Sequence, residues 1–421
     1  QPEFPIAYQE YYNQATPEGK DLYLRLWREA IKANRNHPSI ITWSMSNEMY
    51  DSFDLAPEMY KAAKELDPTR LVIDTDGVGL PAAGAKSRDT LDFLSVPFDE
   101  GGRFGFHDDK HVVASKPDKP VLVHEMGNFG TFPDLDQAKL FKGGIRPWWL
   151  YSAQDLAKTR GVTGMLPEWV ANSNKLQAAA LKANIEDARK SPEIKGYHQW
   201  LLQDYWTGSN GVLDIFYRPK GLTAEQFRRF NSSTVLLMDC PKRSFSAGEK
   251  MTVTLITSRY EDKASENATL TCRMLAGGKV LSTGRKTGLA VPTGGNAEVL
   301  KINFTMPSLA IPFKIVMEAV LEDENGTVSN SWDLWVFPTE RFISDKMAVQ
   351  GMPEIKQSYP DSIEPDALTA DGLLVARRLN PQVIARLERG GRVLLLSVDG
   401  AFPAIPSRYK PCWWLGDPNG D

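Results

Sequence analysis

Short apolar runs alternate with helical patterns between residues 16 and 202 of the 421-residue chain, and this alternation limits the possible folds most strongly. Thr16 and Pro17 form a helix start signal, and the helical spacing after them ends near His37-Pro38. Parallel βα units produce such alternation, because a parallel strand pair needs a crossover that is usually a helix. The other helical patterns are Ala56–Leu66 and Asp134–Arg189, and the predicted strands are Ser39–Met45, Arg70–Asp74, Leu91–Val96, Pro120–His124 and Gly196–Leu202.

After Phe230 the pattern changes to strands in which polar and apolar residues alternate. Glycine-rich turn signals separate these strands, as expected for a β-sandwich of about 100 residues. The predicted strands are Thr234–Met238, Met251–Thr257, Ala268–Leu275, Val299–Phe304, Lys314–Leu321 and Trp332–Phe337. The sequence therefore predicts an α/β domain at residues 1–230 and a sandwich at 231–340. Residues 341–421 are predicted to hold a linker and a partial α/β unit, with a helix at Pro381–Arg389 and a strand at Arg392–Ser397.

Composition excludes several classes of protein. Hydrophobic residues at 42% and charged residues at 24% are ordinary globular values, which excludes a disordered, collagenous or coiled-coil chain. The net charge is −4 and no long basic run is present, so nucleic acid is not an expected partner. No apolar run reaches the ~18 to 20 residues of a membrane span. The three cysteines can form at most one bridge and lack zinc-site spacing, so no metal site is expected.

Two glutamates follow or close predicted strands. Glu48 comes after the first strand with Asn47, and Glu125 follows the strand Pro120–His124. Active sites of parallel βα barrels lie at the carboxyl ends of the strands. A pair of carboxylates there can hydrolyse a glycosidic bond, with one protonating the leaving oxygen and the other attacking the anomeric carbon. The alternative from position alone is two glutamates with capping or salt-bridge roles.

Three segments resemble one enzyme family. Residues 34–41, followed by Trp43, Ser44, Asn47 and Glu48, closely resemble the acid/base signature of glycoside hydrolase family 2, which contains β-galactosidases, β-glucuronidases and β-mannosidases. Residues 119–125 resemble the nucleophile strand of that family, and residues 196–204 resemble its eighth barrel strand. The three segments occur in the family order.

The resemblance implies a fold and a function. The fold is a (β/α)8 TIM barrel followed by an immunoglobulin-like sandwich and a partial flavodoxin-like unit. The activity is that of a retaining exo-β-glycosidase of β-galactosidase type, without cofactor or metal, in the periplasm or outside the cell. Glu48 would be the acid/base and Glu125 the nucleophile. The residues implied to bind the carbohydrate substrate are Asn47 at the 2-hydroxyl, Trp200 as an apolar wall, and Asp204 and Trp206.

The sequence also departs from the family. Thr42 and Ser46 replace an aliphatic residue and a glycine, and 95–98 lacks the tyrosine that hydrogen-bonds the nucleophile in many members. His37 and His124 flank the motifs and are predicted to make fixed hydrogen bonds rather than to bind metal. Two other functions remain open: a non-catalytic carbohydrate-binding or scaffold protein, and an endo-acting β-glucanase of the same barrel clan.

The resemblance begins near Glu3-Phe4-Pro5, at the tail of the third barrel strand. The expectation is therefore a fragment with strands 4 to 8 of an incomplete barrel. Its first and last strands would then offer open edges, favouring an oligomer or the addition of a missing N-terminal segment.

Overall fold

The computed structural model of the protein describes residues 4–6, 12, 14–47, 49, 53–75, 90–97, 119–127, 129–205, 208–308, 310–339 and 346–396. In these ranges, no helix has the length and apolar character needed to cross a membrane.

The helix α1 (Pro17–Asn34) opens the first α/β part. The Thr16 side chain accepts a hydrogen bond from the backbone N–H of Gly19 at 3.2 Å, as predicted for its N-cap. The buried face of α1 carries Trp27, whose ring meets Trp43 edge-on with centroids 6.2 Å apart. Trp27 also donates from Nε1 to the backbone oxygen of Met59, at 2.9 Å. These contacts pack α1 against β1 (Thr42–Ser44) and α2 (Ala56–Leu66).

Five parallel strands in the described residues before the sandwich form two sheets. β1 pairs with β2 (Leu71–Ile73), while β3 (Leu94–Pro97), β4 (Val121–Met126) and β5 (Ile194–Gln199) form the other sheet in that order. All five predicted strands are present in order. β1 and β2 are shorter than predicted, and β4 continues to Met126.

Asp92 connects the two sheets where no β-ladder joins β2 to β3 in the described residues. Its backbone N–H donates to the oxygen of Val72 at 2.7 Å, and its carboxylate accepts from the N–H of Val72 at 2.7 Å. The carboxylate thus takes the place of a strand carbonyl. Ile73 also shares an apolar core with Phe93 and Val121 across this junction.

Residues 4–6 run beside β1. The N–H of Phe4 donates to the oxygen of Ser44 at 3.0 Å, and the N–H of Asn47 donates to the oxygen of Ile6 at 2.9 Å. These bonds cover an edge of β1 that the sequence analysis expected to be open.

The helical stretch predicted at 134–189 is divided in the structure. It contains 3-10 turns at Leu135–Leu140 and Thr163–Met165, α3 (Trp148–Thr159) and α4 (Leu166–Lys190). Gly161 has a φ of +69°, which an α-helix does not accommodate, and 143–147 contains two glycines and a proline. The apolar spacing predicted helix correctly but could not show these breaks.

The short helix α5 (Ala224–Arg228) leads into two antiparallel sheets around one core. The described strands are β6 (Thr234–Asp239), β7 (Ser244–Ser246), β8 (Lys250–Arg259), β9 (Ser265–Ala276), β10 (Lys279–Val291), β11 (Gly295–Thr305), β12 (Phe313–Asp323) and β13 (Gly326–Phe337). Their order is β10-β9-β12-β13-β7 in one sheet and β11-β8-β6 in the other; only the β13–β7 pair is parallel. Apolar residues of both sheets, such as Leu255 and Ile315, form a common core. Cys240 and Cys272 are free thiols here.

The last described part is a small parallel sheet with helices. Its elements are β14 (Met347–Gln350), α6 (Pro353–Ser358), a 3-10 turn at Pro365–Ala367, β15 (Leu373–Ala376), α7 (Pro381–Glu388) and β16 (Arg392–Leu395). The predicted helix and final strand are present, and β14 and β15 add two strands that the sequence analysis did not identify. The domain boundaries at 230 and 340 stay predictions.

Candidate active site

The carboxyl ends of β1, β4 and β5 carry the predicted site residues that the structure describes. Asn47 follows β1, Glu125 lies near the end of β4, and Trp200 follows β5 directly. The N–H of Trp200 donates to the oxygen of Met126 at 2.8 Å, so Glu125 and Trp200 are held on neighbouring strands. Glu48 and Trp206 lie outside the described residues.

Glu125 has an unusual backbone for a strand residue. Its φ is +51°, in the left-handed region that side chains other than glycine seldom adopt. Its side chain is 25% exposed, and Oε1 lies 3.3 Å from Nε2 of His124. Such outliers persist only where the surroundings impose them, and they cluster at functional sites. The backbone at Glu125 is therefore held in an unusual conformation, and its carboxylate is partly open to a ligand.

Gly127 ends this segment with a φ of +87°. A Cβ at this position would lie 2.5 Å from Cδ2 of Leu181 on α4. Only glycine meets both conditions, which allows α4 to pack directly beneath the strand end that carries Glu125.

Three buried polar atoms near the strand ends have no hydrogen-bond partner among the described residues. They are Oδ1 of Asn47, Nε1 of Trp200 and Oε1 of Gln203. Buried polar atoms are nearly always hydrogen-bonded, so atoms of this kind at strand ends are candidates to bind a polar ligand. Gln203 is not among the site residues predicted from the sequence, although it lies within the segment that resembles the eighth barrel strand. The peptide bond between Trp200 and Leu201 is cis.

Asp204 is fully engaged by protein groups. Oδ1 accepts from Nζ of Lys220 at 2.7 Å and from the N–H of Gly211 at 2.9 Å, and Oδ2 accepts from the hydroxyl of Ser209 at 3.1 Å. Burial raises the pKa of Asp204 and lowers the pKa of Lys220, while the attraction between the two charges opposes both shifts. These contacts favour a role for Asp204 in fixing the loop after β5. Sequence reasoning missed Lys220 because nothing in the local pattern marks it.

Ser46, one of the departures from the family pattern, has a structural explanation. Its hydroxyl donates to the backbone oxygen of Asp74 at 2.6 Å, which links the ends of β1 and β2. The Asp74 carboxylate accepts from the hydroxyl of Thr90 at 3.0 Å. Ser46 therefore ties strand ends together.

Comparisons with known proteins support a glycosidase family. The family model described as "Glycosyl hydrolases family 2, TIM barrel domain" matches residues 5–142, and a domain of unknown function matches residues 249–338. A putative β-glucuronidase of Formosa agariphila is 43% identical over 76 residues, covering 17% of this chain and 7% of that protein. A β-galactosidase of Kluyveromyces lactis is 35% identical over 146 residues, covering 32% of this chain and 13% of that protein.

Two solved structures are also similar. The β-glucuronidase of Bacteroides uniformis matches with a TM-score of 0.36 and 16% identity over 77% of this chain and 37% of that chain. The exo-chitosanase of Amycolatopsis orientalis matches with a TM-score of 0.45 and 15% identity, over 76% of this chain and 39% of that chain. The chain thus spans at most about an eighth of these curated relatives and less than half of these solved structures.

Proposed function

We propose that this chain, whose residues 5–142 match the TIM-barrel model of glycoside hydrolase family 2, carries the catalytic centre of a retaining exo-β-glycosidase. The reaction is hydrolysis of a terminal β-linked sugar by double displacement, and the proposed type is β-galactosidase-like. The observation that carries the proposal is Glu125, whose partly exposed carboxylate lies at the carboxyl end of a parallel strand with an unusual backbone conformation.

In the first step, a carboxylate oxygen of Glu125 attacks the anomeric carbon while Glu48 gives its proton to the leaving oxygen. This forms a glycosyl ester on Glu125 and releases the alcohol. In the second step, Glu48 takes a proton from water, which attacks the same carbon and frees Glu125. The retaining mechanism requires carboxyl groups ~5 to 5.5 Å apart, which is the separation we propose for Glu48 and Glu125.

The other strand-end residues are assigned to the sugar. The Asn47 side chain would bind the 2-hydroxyl, and the Trp200 ring would form an apolar wall with its Nε1 able to donate to a ring substituent. Asp204 would act indirectly, by holding the loop that leads to Trp206 in place through Ser209, Gly211 and Lys220.

The nucleophile can be identified by covalent trapping. A 2-deoxy-2-fluoro-β-glycoside with an activated leaving group slows the second step, so the protein should accumulate one sugar on Glu125, found by peptide mass spectrometry. Glu125→Gln should abolish labelling and turnover of aryl β-glycosides. Glu168→Gln, at an exposed position on α4, is the matched control and should change neither.

A panel of aryl β-galactosides, β-glucuronides, β-mannosides and β-glucosides, at equal concentration, identifies the sugar. Binding of sugars without labelling or turnover would favour a non-catalytic carbohydrate-binding protein. Cleavage within polysaccharide chains, with no action on aryl monosaccharides, would favour an endo-acting β-glucanase.

Substrates with different leaving groups distinguish the role of Glu48 from that of Glu125. Glu48→Ala should slow substrates with poor leaving groups by a factor of about 10² to 10⁴ and affect activated aryl glycosides far less, because only the former need the proton. Added azide should restore turnover and give the β-glycosyl azide. An α-azide product would mean that the two roles are exchanged.

A further inference from the structure

Near its end, β4 contains one residue more than β5 beside it. Val123 pairs with Tyr197 and Met126 pairs with Gln199, so three steps along β4 match two along β5. Glu125 lies in this irregular stretch and has the left-handed φ of +51°. A β-bulge of this kind re-aims side chains, and bulges are common next to active sites.

The bulge brings together two side chains that a regular strand would separate. Neighbouring residues of a strand point to opposite faces. Here Nε2 of His124 lies 3.3 Å from Oε1 of Glu125. The His124 side chain is 9% exposed and that of Glu125 is 25% exposed, so the imidazole is the buried member of the pair.

The surroundings of the imidazole restrict its movement. His198 on β5 meets the His124 ring edge-on, with ring centroids 6.4 Å apart. The backbone of His124 is held by its place in the sheet, where its register partner on β3 is Pro97. A ring held in this way presents its Nε2 atom at a constant place, so it can fix the carboxylate that it contacts.

We propose that His124 is a positioning residue for Glu125, holding Oε1 through Nε2 so that the other carboxylate oxygen is available to attack. β3 has Ser95 and no tyrosine, so its sequence offers no phenolic donor for this task. The two atoms are 3.3 Å apart without hydrogen-bond geometry in this structure, and catalytic donor contacts in ligand-free sites are often poorly aligned and tighten when substrate binds. This inference rests on the proposed role of Glu125 as nucleophile.

Three substitutions at His124 separate positioning from packing. His124→Gln keeps an amide N–H donor near the place of Nε2, His124→Asn keeps one only nearer the backbone, and His124→Phe keeps the ring volume without a donor. Glu168→Gln, at an exposed position on α4 outside the motif segments, is the control. The readouts are the rate constant for trapping by the 2-fluoro glycoside, and kcat and KM on an activated aryl β-glycoside.

We expect His124→Phe and His124→Asn to lower the trapping rate and kcat by about 10²-fold with little change in KM, and His124→Gln to stay within about tenfold of the unaltered protein. Glu168→Gln should match the unaltered protein. Equal trapping rates in all three variants would overturn the inference, as would a Gln variant as slow as the Phe variant. If His124→Phe does not fold, the difference in trapping rate between His124→Gln and His124→Asn tests the inference alone.

If the unaltered protein is trapped at Glu125 but the variants do not differ, only this inference fails. Absence of any trapping would overturn both this inference and the proposed function.

Discussion

Lys220 and Asp204 form an ion pair from which water is almost excluded, since each side chain is only 7% exposed. Nζ of Lys220 also contacts the backbone oxygen of Ser209 at 3.1 Å. A pair this deeply buried contributes modestly as a pair, but the loss of one member leaves an uncompensated charge. The loop after β5 therefore depends on both residues being present.

We predict that Lys220→Met lowers the free energy of unfolding by about 3 to 5 kcal/mol, because the Asp204 carboxylate stays buried without its cation. Urea unfolding followed by circular dichroism measures the change. The matched control is Arg229→Met, which breaks the exposed pair with Glu225 and should cost less than about 1 kcal/mol. Equal losses in the two variants would contradict the argument from burial.

At the scale of elements, the junction of β2 and β3 depends on an ionisable side chain. The Asp92 carboxylate accepts from Val72 N–H, from the hydroxyl of Tyr60 at 2.8 Å and from Nζ of Lys64 at 2.5 Å. Burial raises the pKa of Asp92, but these donors outweigh it and hold the pKa below its usual value near 3.8. Burial and the hydrogen bond to Asp92 raise the pKa of Tyr60 to about 12.

The sign of the pH effect follows from this lowered pKa. A carboxyl with a lower pKa in the folded state stabilises the fold above its unfolded pKa, and this contribution is lost as pH falls through the folded pKa. We predict that the free energy of unfolding decreases below about pH 4, and that Asp92→Asn makes this decrease shallower. Chemical denaturation at pH 7 and at several values below 4 tests this. If the free energy of unfolding of Asp92→Asn falls with pH as steeply as that of the unaltered protein, Asp92 does not contribute to the decrease.

The elements with strong local patterns were predicted from the sequence, and the others show why prediction fails. α2 has the predicted bounds because its apolar spacing and first-turn proline are local signals. The edge strand β10 was missed because it is mostly exposed and has two internal glycines, so apolar residues do not alternate along it. Its existence depends on pairing with β9, which is a tertiary effect.

The candidate site, like the fold, could be predicted from the sequence only in part. Strand-end position and the family motifs selected Asn47, Glu125 and Trp200. The positive φ of Glu125 and its contact with His124 were not predictable, because both arise from a bulge that only the pairing of β4 with β5 defines. The Asp204–Lys220 pair was also not predicted, because the two residues are brought together only by the folded loop after β5.

At the scale of the whole molecule, a buried polar cluster joins α4 to β13. This α4–β13 cluster consists of Lys182, Glu186, Asn330 and Trp332. Glu186 accepts from Asn330 Nδ2 and from Trp332 Nε1, each at 2.8 Å, and forms an ion pair with Lys182. Nζ of Lys182 lies over the Trp332 ring, 5.1 Å from its centroid. The Glu186 carboxylate is thus one of the groups that connect the parallel part to the sandwich, beside contacts such as the hydrogen bond from Asn296 Nδ2 to the Arg189 oxygen at 2.7 Å.

We predict that Glu186→Gln lowers the free energy of unfolding by about 1 to 3 kcal/mol, because the amide cannot accept both hydrogen bonds that the buried carboxylate accepts from Asn330 and Trp332, while Lys182, 24% exposed, loses its counter-charge. Glu168→Gln, at an exposed position of the same helix, should change it by less than about 0.5 kcal/mol. Urea titrations of both variants beside the unaltered protein provide the comparison. A loss no larger than in the control would mean that the two parts are joined by other contacts.

The same cluster limits how this protein can exchange parts with its relatives during evolution. A recombination that brings in a foreign sandwich separates residues 182 and 186 from residues 330 and 332. The hybrid would inherit a buried glutamate and a partly buried lysine without their matching amide and indole. Exchange should therefore succeed only between lineages that keep the same four residue types, and an alignment of relatives should show these positions changing together.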